Sequence, residues 1–131
     1  MINIKTKLHI VDNSGGISGR CIKILNSAKN TTGFIGSLIL ITIIKKQKKK
    51  KFKKRNIYYG LIIMISQYIK RKDGTFIKFY DNRVLLLSKN YKFLGSRVYG
   101  VNLKELKFQI LKDQNKKQKY FKLLSYSNSI I

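Results

Sequence analysis

The feature that most constrains this chain is its charge. Its 131 residues include 29 lysines and arginines but five aspartates and glutamates, which gives a formal net charge of +24. Self-repulsion at this density opposes a compact state unless a surface of opposite charge lies against it. The basic excess therefore predicts a polyanionic partner. Nucleic acid is the first candidate, because neutralising phosphates releases condensed counterions and so supplies affinity.

The chain also carries enough apolar side chains to build a core. Hydrophobic residues make up 44% of the sequence, and runs such as Leu38–Ile44 and Leu61–Ile65 are not found in disordered polybasic tails. Both runs are much shorter than the roughly 20 residues of a membrane-spanning helix, so no membrane partner is expected. The one cysteine, Cys21, excludes an internal disulfide and a multi-cysteine zinc site, and predicts a buried thiol.

Hydrophobic and polar residues alternate at the start of the chain. Ile2, Ile4, Leu8 and Ile10 occupy even positions, which is the period of a half-buried strand. The side chains at the odd positions between them are expected to form a solvent-exposed, basic face. A cluster of turn-forming residues at 12–16 then predicts a tight turn before a second strand.

Later segments complete an all-β pattern with one helix. Asp73-Gly74 lies between two strand-like arms, and predicts a basic hairpin over 67–81 with positive φ at both turn residues. Asn102 and Glu105 resemble a capping box, which predicts a helix within the segment 102–125. Several short strands followed by a helix indicate a small closed barrel, in a single domain spanning 1–131.

Two cation-rich segments predict contact with RNA or DNA. In 45–55 nearly every residue is basic, and like charges this dense repel one another, which disfavours the alternative of a solvated loop. The hairpin 67–81 adds further cations, although a plain surface hairpin is an alternative there. Lysines bind phosphate as point charges, so affinity rather than base specificity is expected. The predicted RNA-binding residues are Lys5, Lys7, Asn13, Ser14, Lys23, Lys45, Lys46, Lys48, Lys49, Lys50, Lys51, Lys53, Lys54, Arg55, Lys70, Arg71, Lys72 and Lys78.

The sequence offers no constellation of catalytic or metal-binding residues. His9 is the only histidine, and its alternation places it on the polar strand face without a nucleophile to pair with. The few acidic residues leave no paired carboxylates, and Gly15-Gly16 lacks the spacing of a phosphate-binding loop. A protein that is not an enzyme, with no cofactor and no metal, is therefore expected.

Short groups of residues occur along the whole chain in a characteristic order and separation. The first groups are Thr6-Lys7-Leu8, Val11-Asp12-Asn13-Ser14-Gly15 and Cys21-Ile22-Lys23. The central groups are Gly60-Leu61-Ile62-Ile63, Asp73-Gly74, Phe79 and Asn82. The late groups are Gly95-Ser96-Arg97-Val98-Tyr99-Gly100, Glu105-Leu106 and Lys119-Tyr120-Phe121-Lys122-Leu123-Leu124-Ser125. In order and separation, these groups resemble the family of the universal large-subunit ribosomal protein fourteen, of the bacterial and organellar type. The chain departs from the family at Lys72 and Val101, which replace prolines, and in an insertion at 108–118.

This resemblance implies a five-stranded barrel with a projecting β-ribbon and one or two short C-terminal helices. It implies a structural constituent of the large ribosomal subunit that binds ribosomal RNA near the subunit interface and supports translation. Neighbouring ribosomal proteins are implied partners, as is small-subunit RNA through an intersubunit bridge. The ribosome silencing factor is a further implied partner, at Ser96, Arg97 and Lys122, for which contact with RNA or capping of local structure is the alternative.

Residues with codons rich in A and T are abundant, which suggests an A+T-rich genome such as that of an organelle. A mitochondrial ribosome is the predicted location, with a plastid-type organelle or the cytoplasm of an A+T-rich organism as alternatives. Two other functions fit the charge. A free-standing small-barrel RNA chaperone would expose aromatic rings on its binding face. A membrane-surface protein would need an amphipathic anchoring helix, which does not accompany the lysine run.

Overall fold

The computed structural model describes residues 1–25, 32–48, 56–106 and 127–131. Its strands are β1 (Lys7–Ile10), β2 (Gly16–Ile24), β3 (Leu38–Lys46), β4 (Ile57–Met64), β5 (Ile69–Lys70), β6 (Phe76–Ile77), β7 (Arg83–Leu87), β8 (Val98–Asn102) and β9 (Ser127–Ile130). Five of them close a barrel in the order β1-β2-β3-β4-β7. The predicted all-β fold and its closed five-stranded barrel are confirmed.

Pairing between β1 and β7 closes the barrel. The other neighbours in the barrel run antiparallel, whereas β1 and β7 run parallel, with His9 opposite Arg83 and Ile10 opposite Val84. Closure leaves no long sheet edge with unpaired N–H and C=O groups. The outer surfaces of the barrel strands are therefore free to carry charged side chains on a rigid frame.

The interior of the barrel is filled by branched aliphatic side chains. The largest fully buried side chains include Leu8, Ile39, Ile41, Ile43, Ile62 and Leu86. Such residues suit strands, because their stiff side chains pack well on a pleated surface. Cys21 joins them as predicted, 1% exposed, and burial raises the pKa of its thiol.

Gly60 allows β4 to approach β7 and β3 closely. A Cβ atom at this position would lie 2.7 Å from Cγ2 of Val84 and 3.3 Å from Cγ1 of Ile39. A glycine inside a strand marks either a bulge or a close backbone approach. The structure shows the close approach.

The strand predicted to begin at Ile2 is interrupted. Lys5 has a φ of 71°, which breaks the alternation, and Ile4 is 51% exposed rather than buried. Ile2 is buried by a separate bridge to Gly33. Strand β1 therefore begins only at Lys7.

Strands β5 and β6 form a two-stranded ribbon outside the barrel sheet. The two-residue turn predicted at Asp73-Gly74 was wrong, because Gly74 has a positive φ (87°) but Asp73 does not. Arg71 instead donates its N–H to the Thr75 carbonyl (2.9 Å) and accepts from the Gly74 N–H (3.2 Å), which encloses a three-residue loop. The Thr75 hydroxyl donates to the Asp73 carboxylate at 2.6 Å and, with the Thr75 N–H, lowers the pKa of Asp73. As the pH falls through that lowered pKa, protonation of Asp73 should weaken these bonds and loosen the turn.

The segment after the barrel continues as a strand through Asn102, where the helix was predicted to start, and within the described residues helical backbone begins at Glu105. Asn102 is the last residue of β8, which pairs in parallel with β9, and its buried side chain does not cap a helix. Glu105 binds Arg71 rather than the Asn102 backbone. The rest of the predicted helical segment 102–125, from 107 onward, and the insertion 108–118 lie outside the described residues. Within the described ranges, no helix has the length and apolar character needed to span a membrane.

Substitution of Gly60 by alanine should destabilise the barrel. The added methyl group overlaps Val84, so we expect a loss of about 1–3 kcal/mol in the free energy of unfolding, measured by urea denaturation. Ile57→Val is the control on the same strand, because Ile57 is 57% exposed and should change stability by about 0.5 kcal/mol or less. Equal stability of Gly60→Ala and the wild type would contradict the close approach.

Candidate nucleic-acid interface

Three cations lie on the outer surface of β1 and β2, and a fourth, Lys5, lies just before β1. Lys7 and Arg20 are directly opposite each other in the antiparallel register, and both side chains are exposed. Lys5 is held beside this pair because its backbone N–H donates to the Cys21 carbonyl at 2.8 Å. Lys23 is exposed next to a register shift in β2. We call Lys5, Lys7, Arg20 and Lys23 the basic face.

The basic face is not neutralised by other side chains of the described ranges. The ion pairs of the described residues join Arg71 to Glu105 and Arg83 to Asp81. Neither pair involves Lys7 or Arg20. Like charges directly opposite each other on two strands are destabilising. Arg20 was not among the predicted site residues, although its position opposite Lys7 follows once the two strands are aligned in register. An anion bound here would relieve the repulsion.

The basic segment predicted at 45–55 begins in a strand rather than a loop. Lys45 pairs with Ser18 and Lys46 with Gly16, so β3 extends two residues into the segment. Lys45 and Lys48 are exposed, and Lys46 is half-buried. The remaining predicted cations of the segment lie outside the described residues: Lys49, Lys50, Lys51, Lys53, Lys54 and Arg55.

The turn between β1 and β2 is held together by Asp12. Its carboxylate is 6% exposed and accepts hydrogen bonds from the Ser14 N–H (3.0 Å), the Ser14 hydroxyl and the Leu86 N–H (2.9 Å). Ser14, a predicted RNA-binding residue, is thus buried and bonded inside the protein. Such side-chain bonds to nearby backbone are ordinary turn chemistry.

Asn13 joins this turn to a segment 83 residues later in the chain. Its side-chain oxygen accepts from the N–H groups of Ser96 (2.7 Å) and Arg97 (3.1 Å), and its amide donates to the Ser96 hydroxyl (2.8 Å). The structure therefore brings Asn13, predicted to bind RNA, together with two residues predicted to bind a partner. The side chains of Ser96 and Arg97 are exposed. Lys122, the third predicted partner residue, lies outside the described residues.

The ribbon presents both cations and aromatic rings. Lys70, Lys72 and Lys78, which were predicted to bind RNA, are exposed. Arg71 differs, because its guanidinium pairs with Glu105 at 2.7 Å and donates to the Ile131 main-chain oxygen at 2.8 Å. Three aromatic side chains that were not among the predicted site residues are also exposed on or beside the ribbon: Tyr68, Phe76 and Tyr80.

A cleft opens where β1 meets β7. Polar side chains that line it include His9, Gln47, Asp81 and Arg83, and Tyr99 lies at its margin with 51% of its surface exposed. The cleft is next to the basic face, because His9 follows Lys7 on the outer side of β1. Across the described part of the chain, no three His, Cys, Asp or Glu side chains are grouped closely enough to hold a metal ion.

Replacing Asn13 with alanine should release the segment at Ser96 and Arg97. Both N–H groups lose their acceptor, so we expect their hydrogen exchange to accelerate about 2- to 12-fold, while barrel amides keep their protection. Ser88→Ala is the matched control, because its hydroxyl accepts from the Lys92 N–H at 3.2 Å. That variant should accelerate exchange at Lys92 alone. Unchanged exchange at Ser96 and Arg97 in Asn13→Ala would show that Asn13 does not hold this segment.

Comparison with known proteins identifies the family of this chain. The family model described as Ribosomal protein L14p/L23e matches residues 1–131. The chain is also similar to the protein named Large ribosomal subunit protein uL14 from Carsonella ruddii (strain PV), with 40% identity over 131 residues and 100% of both chains covered. Because the family model and this relative both match over the full length, the chain belongs to the L14p/L23e family of ribosomal proteins.

Proposed function

We propose that this chain is a structural constituent of the large ribosomal subunit that binds ribosomal RNA through its basic face and its ribbon. Family membership and the name of the Carsonella relative support a large-subunit role without enzymatic activity. The observation that carries the RNA contact is the exposed Lys7–Arg20 pair, two cations held opposite each other without a carboxylate partner among the described residues.

The barrel holds the cations of this contact in fixed positions. Strand pairing fixes the backbone of β1 and β2, so the cations need little further ordering when phosphates arrive. Lysine and arginine bound to phosphates position RNA without reading its sequence. The protein then acts by holding a local RNA shape, and its affinity depends on the number of phosphates it neutralises.

Further partners belong to the same proposal. Ser96 and Arg97 are exposed and held by Asn13, which suits them to a protein partner such as the ribosome silencing factor, with RNA as the alternative ligand. Contacts with neighbouring ribosomal proteins and a bridge to small-subunit RNA are also proposed. We propose that this ribosome is organellar, and that the organelle is the mitochondrion. A bacterial ribosome is the alternative favoured by the relative from a bacterial endosymbiont.

Removing two cations from the basic face should reduce the salt dependence of RNA binding. For Lys7→Gln/Arg20→Gln, we expect the slope of log K against log salt to become shallower by about 1.4–1.8, because each phosphate contact contributes about 0.7–0.9. Fluorescence anisotropy with a large-subunit RNA fragment at several salt concentrations measures the slope.

Lys89→Gln/Lys92→Gln is the matched control. It removes the same charge from an exposed turn after β7, outside the basic face. Its slope should stay close to that of the wild type. Equal slopes for the two double variants would mean that the basic face is not the contact surface.

Sedimentation tests the ribosomal role directly. The tagged protein in a gentle lysate of its source should travel with large subunits on a sucrose gradient at low salt. Fractionating the compartments first tells whether those subunits come from an organelle or the cytoplasm. Recovery only in light fractions would contradict the proposal.

A free-standing RNA-binding barrel is the second candidate function. The exposed rings of Tyr68, Phe76 and Tyr80 favour it, because proteins that bind single strands use aromatic platforms. The same gradient separates the two functions, since a free-standing protein stays in light fractions and still binds RNA after purification.

A further inference from the structure

The two faces of the ribbon have different compositions. Lys70 is opposite Phe76 and Ile69 is opposite Ile77, a register that also sets Tyr68 opposite Lys78. Side chains two residues apart on a strand share a face. Tyr68, Lys70, Phe76 and Lys78 therefore share one face, which we call the outer face of the ribbon.

The opposite face of the ribbon supplies its attachment to the protein. Ile69, Ile77 and Phe79 are half-buried and pack against the hydrophobic core. By contrast, Tyr68 is 67% exposed and Phe76 is 62% exposed. The outer rings are thus not needed to attach the ribbon, and their apolar surface is left in contact with water.

Aromatic and cationic side chains alternate on the outer face. Each ring is opposite a lysine, and Nζ of Lys78 lies 4.9 Å from the centre of the Tyr68 ring. Lys72 adds a cation at the tip, where the carboxylate of Asp73 is bound to Thr75. The surface is therefore both aromatic and positively charged, a combination that matches the bases and phosphates of a nucleic acid strand.

The ribbon is also held in position before any ligand arrives. Arg71 lies between β5 and the tip, and its guanidinium bonds Glu105 at 2.7 Å and the Ile131 main-chain oxygen at 2.8 Å. The three-residue loop is held by the bonds between Arg71 and Thr75 and between Gly74 and Arg71. A platform ordered in advance loses less entropy on binding.

From these observations we infer that the outer face of the ribbon stacks unpaired bases of RNA on Tyr68 and Phe76, while Lys70 and Lys78 bind the flanking phosphates. This inference rests on the proposed function, which requires RNA binding but only contact with phosphates. It adds a ligand class: single-stranded or bulged nucleotides whose bases are free to stack. Paired RNA, whose bases are not free to stack on the rings, would contact only the lysines.

Comparing an RNA oligonucleotide with an abasic one isolates stacking from charge. The two probes are a 12-nucleotide oligoadenylate and a 12-nucleotide abasic strand with the same number of phosphates, each labelled for anisotropy. The wild type should prefer the oligoadenylate by about fivefold or more, the lower bound for one stacked base. Phe76→Leu should lose about fivefold of that preference and keep its salt slope.

Phe34→Leu is the matched control, the same substitution at a ring that is 46% exposed and outside the ribbon. It should keep the full preference for bases. A second measurement on the wild type alone uses 2-aminopurine within the oligoadenylate, whose fluorescence should be quenched on stacking, so the test does not depend on a variant that folds.

The possible results separate the inference from the proposed function. Tight, salt-dependent binding of both probes with equal affinity would overturn stacking and leave phosphate binding intact. A preference for bases that survives in Phe76→Leu would likewise overturn the assignment to the ribbon. Failure of the wild type to bind either probe or folded ribosomal RNA would overturn the proposed function, and the stacking with it.

Discussion

A single buried carboxylate connects the two strands on which barrel closure depends. Asp12 follows β1, and its oxygens accept N–H groups from Ser14 in the next turn and from Leu86 in β7. Burying a carboxylate is costly unless hydrogen-bond donors replace its water. Here the donors are backbone groups of the two segments that must meet, so the polar bonds that offset the burial also align the parallel strands.

Closure makes it possible for so basic a chain to fold. Strand alternation sends the aliphatic side chains of β1, β3 and β4 into one core and leaves the cations of β1 and β2 outside. Repulsion between Lys7 and Arg20 is then opposed by the packing of this core. The core and the proposed binding surface are two sides of the same strands, so strand pairing positions Lys7 and Arg20, for which the described residues supply no ion pair.

Several polar residues in the segments around the barrel hold the protein together, although their composition suggests exposed loops. Asn13 and Ser14 look like polar turn residues open to a ligand, yet both are bonded within the protein, Asn13 to a segment 83 residues away. Arg71 likewise attaches the ribbon to Glu105 instead of facing solvent. The exposed groups that remain available for the proposed contact with RNA are the basic face, the end of β3, and the lysines and rings of the ribbon.

The residues that face inward and outward on β1 could be predicted without coordinates, because period-two alternation is a local property: Lys7 outside and Leu8 inside follow from it. The burial of Cys21 follows from the apolar character of a lone thiol. The charge imbalance alone indicates a polyanionic partner. Strand register is not local, however, so the pairing of Lys7 with Arg20 and the exposure of Tyr68 and Phe76 emerged only when the strands were aligned. The wrong start of β1 and the absent cap at Asn102 have the same origin. A left-handed Lys5 and a parallel partner for β8 are set by contacts with distant parts of the chain, which override local propensity.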